Sequence, residues 1–155
     1  MKISLLYVGK ANEPETGSLV TAYLKRAQPL FQTSLVAVKP FAVRNPHQID
    51  TARAREAERL LAKVPSGVAV VALDVTGTAL DSEQFAARLD RHRLSGQGLA
   101  FVIGGAYGLA PEVLSRAEWR LSLSPMTLPH RLAQLLLAEQ LYRAKTLLAG
   151  EPYHK

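Results

Sequence analysis

The segment L-S-L-S-P-M-T-L-P-H-R-L, Leu121 to Leu132, decides how the whole chain is read. Leu121 to Leu123 alternate apolar and polar residues like the end of a strand. Pro125 and Pro129 then remove two backbone donors within five residues. Each proline also pushes its predecessor, Ser124 or Leu128, out of the helical region. The outcome is an extended apolar loop that cannot pair in a sheet and that runs straight into a strongly helical segment. Such a loop presents backbone N–H and C=O groups between apolar side chains, which suits a flat heteroaromatic ring such as adenine. It would serve equally as an apolar connection into a core helix, so the rest of the chain has to decide.

Working outward, strand-length apolar runs alternate with longer helical patterns. Ile3–Val8, Ser34–Val38, Val68–Leu73, Leu99–Ile103 and Trp119–Leu123 read as strands. V-A-V-V-A-L at Val68–Leu73 is apolar on both faces, as in the centre of a parallel sheet. Helices are expected at Gly17–Ala27, at Ile49–Val64, from Asp81 or Ser82 toward Gly96, from Pro111 to Ala117, and at His130–Ala149. Strand–helix alternation repeated in this way predicts an α/β fold, a five-stranded mostly parallel sheet flanked by helices. With no repeat, low-complexity tract or linker, residues 1–155 read as one domain. Phe41–Gln48 reads as a mobile surface loop.

Composition narrows the function classes. The 155 residues carry 48% hydrophobic and 21% charged side chains, an ordinary globular balance that excludes wholesale disorder. The absence of cysteine removes disulfides, thiolate metal sites and cysteine nucleophiles. The N-terminal apolar run is too short for a signal peptide, and no segment has the roughly 20 apolar residues of a membrane helix. A cytoplasmic protein is therefore expected. A net charge of +6 favours a polyanionic partner such as RNA. The four histidines, His47, His92, His130 and His154, have no metal-ligand spacing, so no metal is expected. His92, among arginines on a helix, reads as solvated.

Candidate chemistry gathers at strand carboxyl ends, where parallel sheets bind ligands. I-G-G-A-Y-G-L-A-P follows the fourth strand, with Gly104, Gly105 and Gly108 allowing close backbone approach or positive φ. Its spacing is neither a dinucleotide fingerprint nor a Walker loop. Asp74 ends the third strand, but strand one ends in Gly9-Lys10 without the further acids of a phospho-acceptor site. The last helix is apolar nearly all round, which predicts burial on more than one side and hence a partner subunit. Glu139 and Arg143 are spaced for a helical ion pair, and Arg143 is a candidate for holding a developing anion. The tail G-E-P-Y-H-K would fray by default, yet it puts Tyr153 and His154 beside that helix; His154 is suited to accept a proton or donate a hydrogen bond near neutral pH.

Taken together, I-G-G-A-Y-G-L at Ile103–Leu109, L-S-L-S-P-M-T-L-P-H at Leu121–His130, E-Q-L-Y-R-A at Glu139–Ala144 and the terminal P-Y-H-K resemble one family. V-A-L-D, S-E-Q-F-A and Y-L-K-R, at Val71–Asp74, Ser82–Ala86 and Tyr23–Arg26, support it. It is the bacterial large-subunit ribosomal RNA pseudouridine N3-methyltransferase family, small members of the SPOUT superfamily. The resemblance implies a C-terminal trefoil knot, which sequence rules would never propose because knots are nearly absent from proteins. It implies S-adenosylmethionine as methyl donor, held by Leu73, Gly104, Gly105 and the loop Leu123, Ser124, Pro125, Met126, Thr127 and Leu128. It also implies a homodimer acting on the ribosome. Arg143, His154 and Tyr153 are then the catalytic candidates, with Arg143 stabilising the imidate and the tail positioning the base or relaying its proton. His130, Arg131, Glu139 and Tyr142 fall to substrate binding, with His130 as an alternative proton acceptor. The chain departs from the family pattern at Arg131, where glutamine or proline is expected, and at Gln134, where arginine is usual. The rival class is a ribosome- or RNA-binding protein that keeps the fold without catalysis.

Overall fold

The computed structural model describes residues 1–10 and 16–154. In chain order the elements are β1 (Lys2–Val8), α1 (Gly17–Arg26), β2 (Gln32–Val38), α2 (Ile49–Leu61), β3 (Ala69–Ala79), α3 (Ser82–Leu94), β4 (Leu99–Ile103), α4 (Pro111–Arg116), β5 (Trp119–Ser122) and α5 (His130–Leu148). The five strands form one sheet in the order β2-β1-β4-β3-β5, and every pairing is parallel. The central strands have no solvent face: all five residues of β4 are buried. Alternate side chains serve opposite layers. Ile3, Leu5, Val71, Phe101 and Leu121 pack under α1, α3 and α5. Leu6, Val8, Val70, Ala72 and Val102 pack under α2 and α4.

Local chemistry sets the helix ends. At α3 the Asp81 carboxylate accepts from Gln84 N at 2.7 Å while the Gln84 side chain takes the Asp81 N–H at 3.0 Å, a reciprocal cap. Pro111 occupies the first turn of α4, where its missing N–H costs nothing.

Several expectations change. β3 does not stop at Leu73: both Leu73 and Thr78 register against Leu121, so four residues loop out between them and the strand resumes to Ala79. Asp74 closes that excursion by accepting from the N–H and hydroxyl of Thr76 at 2.8 and 2.5 Å. Gly77 then passes so close to β5 that an added Cβ would lie 2.8 Å from the Arg120 carbonyl carbon. His92 is not solvated. It is 9% exposed, stacks on Trp119 and holds Gln97 Oε1 at 2.8 Å. Phe41–Gln48 is tied down in part: Phe41 N–H donates to Glu56 at 2.9 Å, and Pro46–Gln48 form a 3₁₀ turn. α5 buries Ala133, Leu137, Ala138, Leu141 and Ala144. Its Leu132 and Leu136, however, remain 45% and 42% exposed. Within one chain, the apolar character of that helix is only half used.

Candidate functional site

β5 lies at the sheet edge beyond β3, whereas α5 begins beside β1: an added Cβ on Gly9 would sit 3.9 Å from His130 Nε2. The connection between them therefore crosses the carboxyl ends of the central strands. It roofs a cavity of about 670 Å³ walled by Leu73, the Ile103–Leu109 turn and the loop before α5. Ser124 fixes the loop from within. Its hydroxyl accepts the Met126 N–H at 3.0 Å, and its carbonyl accepts the Ser122 hydroxyl at 3.1 Å.

Most of the sequence-predicted donor residues meet here. Leu73, Gly104, Gly105, Leu123, Ser124, Met126, Thr127 and Leu128 all line the cavity; Pro125 is exposed and does not. Mostly apolar walls with backbone polar groups between them fit an adenosine, and the volume suits a ligand of that size. The glycines are required for a different reason than ligand approach. A Cβ on Gly104 would lie 2.7 Å from the Gly108 carbonyl carbon, and one on Gly105 would meet Val8 and Glu56 at 3.1 and 3.2 Å. They let the turn fold onto itself and onto the sheet, while Gly108 supplies the positive φ of +75°. Asp74 and Val75, thrust inward by the β3 excursion, also line the cavity. Sequence reading weighed Asp74 only as a phospho-acceptor and missed Val75, because a four-residue excursion within a strand leaves no periodic signal.

The second group assembles at the other end of α5. Arg143 donates to Glu139 Oε1 through Nε at 3.1 Å and through an Nη at 2.5 Å. It also lies 4.9 Å above the Tyr153 ring and 3.4 Å from His154 Nδ1. The Tyr153 hydroxyl donates to Glu139 at 3.3 Å, and its ring packs 4.6 Å from Tyr142. The tail is thus folded back, with Glu151 paired to Lys145. Tyr23 and Arg26 complete the cluster at 6.1 and 5.9 Å from the Tyr142 ring, partners signalled only by the Y-L-K-R motif. The hydrogen bonds Arg143 donates to Glu139 raise its pKa further, so the guanidinium stays charged. Burial, then a hydrogen bond with Tyr23, raises that of Tyr153, so its phenol keeps its proton at neutral pH.

The two groups do not meet within one chain. From His130, which lines the cavity, to Arg143 is 13 residues of helix, about 20 Å at 1.5 Å per residue. Arg131 sits half-buried in the first turn of α5. Among the described residues no group of three or more His, Asp or Glu side chains has the arrangement to hold a metal ion. None of their helices is long and apolar enough to cross a membrane.

Comparison with known proteins agrees with this geometry. Residues 1–154 match the family described as "Predicted SPOUT methyltransferase". The chain is 46% identical to a Gemmatimonas aurantiaca protein and 41% identical to a Carboxydothermus hydrogenoformans protein, each over 100% of both chains. Both relatives are named Ribosomal RNA large subunit methyltransferase H. A probable methyltransferase from Bordetella pertussis shares the fold, with a TM-score of 0.55 at 18% identity over 92% of this chain and 93% of that one. The chain, with its parallel sheet and the cavity closed by the loop before its last helix, belongs to the SPOUT methyltransferase family.

Proposed function

We propose that this protein is a cytoplasmic, S-adenosylmethionine-dependent enzyme that methylates N3 of a pseudouridine in large-subunit ribosomal RNA on assembled ribosomes. One observation carries the reading: the residues expected to hold the donor converge on one cavity of adenosine-compatible size and lining. The names of full-length relatives and the +6 charge support the ribosomal substrate. The knot implied by the sequence is part of the proposal. It is supported by the family match and by the loop after β5 returning across the sheet from the β3–β5 edge toward β1.

Bound donor supplies a methyl carbon whose bond to sulfur breaks as N3 of the base bonds to it. The chain must orient the base, hold the charge left on the imide and receive the N3 proton. Arg143, permanently charged and steered by Glu139, is suited to the imidate oxygen. Tyr153 retains its proton and acts as a donor. Arg143 has only donors, so its contact makes His154 Nδ1 the acceptor and leaves the neutral ring's proton on Nε2. Nε2 in turn lies 3.9 Å from the Glu83 carboxylate, so the ring is held from both sides. His154 therefore positions the base, and His130, beside the donor cavity, receives the proton. Glu139 and Tyr142 brace the cluster, and Arg131 and His130 face the RNA.

The 20 Å gap is closed by a second copy. α1 runs parallel to α5, since Gly17 and Ser18 lie near Gln134 while Tyr23 lies near Tyr142. This leaves Leu19, Leu132 and Leu136 exposed on adjacent helices. A two-fold dimer through that face pairs α5 antiparallel with its copy, bringing the partner's Arg143 end to the donor cavity.

The test combines calorimetry with methyl transfer. S-adenosylmethionine should bind saturably, and ribosomes from cells lacking the gene should gain one methyl group, located by mass spectrometry of RNA digests. A flat titration of folded protein, or a methyl group placed elsewhere than on pseudouridine N3, overturns the proposal.

A further inference from the structure

A second cavity, of about 720 Å³, adjoins the first, and His130 lines both. Tyr7 in β1, Lys10 just after it, Thr21 and Lys25 on α1, and Gln134 on α5 contribute to its walls. Gln134 is its unusual member. It is only 7% exposed, yet no described residue hydrogen-bonds its side-chain amide. Its amide atoms are not sealed in the core but reach the cavity, where water or a ligand can complete their hydrogen bonds. The amide opens on a cavity bordered by two exposed lysines and sharing His130 with the first cavity.

Resting on the function proposed above, we infer that this cavity receives the target nucleotide, flipped out of the RNA, and that Gln134 is the residue that recognises it as pseudouridine. An enzyme acting on a base within a stem-loop must extrude it into a pocket and read its edges there. The carbon-linked glycosidic bond of pseudouridine leaves N1 with a hydrogen, whereas in uridine N1 carries the sugar. With N3 turned toward His130 and the donor, the neighbouring edge displays N1–H beside the C2 carbonyl. A carboxamide matches that edge: its oxygen accepts from N1–H and its NH₂ donates to O2. Uridine offers no N1–H and would leave the buried amide oxygen unpaired. Lys10 and Lys25 lie where flanking phosphates would enter.

The test uses two ribosome preparations, one carrying pseudouridine at the target position and one carrying uridine, from cells lacking the relevant pseudouridine synthase. Wild-type protein should prefer the first. Gln134→Leu should bind S-adenosylmethionine normally but lose about 10- to 100-fold in kcat/KM on pseudouridine ribosomes, as expected for two lost hydrogen bonds. Its rate on uridine ribosomes should be little changed, so the preference collapses. Gln134→Glu, which accepts but cannot donate, should retain part of it. Independently of activity, pseudouridine 5′-monophosphate should shift the Gln134 side-chain amide resonances of the wild-type protein, and uridine 5′-monophosphate should not. Equal loss on both ribosomes, or no loss, together with unmoved amide resonances, overturns the role of Gln134 while leaving the methyltransferase reading intact. Failure of the wild type on both preparations overturns that reading instead, and the nucleotide titration still decides what the cavity binds.

Discussion

If the active site is built from two chains, two inactive variants must rescue each other. The donor cavity and the Arg143 cluster lie about 20 Å apart on one α5, beyond the reach of any single nucleotide ring. Gly104→Ala disables the first, because its Cβ would fall 2.7 Å from backbone that cannot yield without deforming the turn. Arg143→Ala disables the second, and loss of one preorganised charge-stabilising donor costs about 10²–10³ in rate. Co-expressed with different tags, the two form half of their dimers as heterodimers. Each heterodimer holds one site with both halves intact and one with neither. The mixture should recover about a quarter of wild-type methyl transfer to ribosomes, and the purified heterodimer about half, where each homodimer gives almost none. Circular dichroism of each variant guards against simple misfolding, which matters for Arg143 because its loss leaves the half-buried Glu139 carboxylate without its cation. A purified heterodimer no more active than either parent would place donor and catalytic groups in the same chain and refute the argument.

Leu132 and Leu136, 45% and 42% exposed, would each contribute about 1 kcal/mol when covered by a partner. Two-fold symmetry counts them twice, so Leu132→Asp with Leu136→Asp should weaken the dimer about a thousandfold. Light scattering at micromolar protein should then fall from twice the 16.9 kDa chain mass toward the single value, with thermal stability little altered; a double variant that stays dimeric puts the interface elsewhere. Tyr153 tests the tail. Its raised pKa means the folded state holds that proton more tightly than the unfolded chain, so its contribution is complete below about pH 10 and lost as pH rises through the folded value. Ultraviolet titration of wild type against Tyr153→Phe should place the missing tyrosinate above that pH, and one appearing below it would return Tyr153 as a candidate base.

The sequence by itself determined the alternation of five strands and five helices, because buried parallel strands need continuous apolar runs and amphipathic helices need spaced ones. It also determined the loop around Pro125 and Pro129, since proline chemistry is local. The Glu139–Arg143 pair was legible for the same reason: both ends lie on one helix. Only the tertiary structure decided what non-local packing controls. His92 is buried because Trp119, from another element, stacks on it. Asp74 enters the cavity because β3 skips residues against β5, a register choice written in neither strand. Gln134 stands out in the sequence only as a departure from the usual arginine, and the cavity it lines is made by α1 and β1. Periodicity encodes which face of an element is apolar, but not which element covers it. The functional groups of this protein sit where the ends of several elements converge, and only the fold sets that convergence.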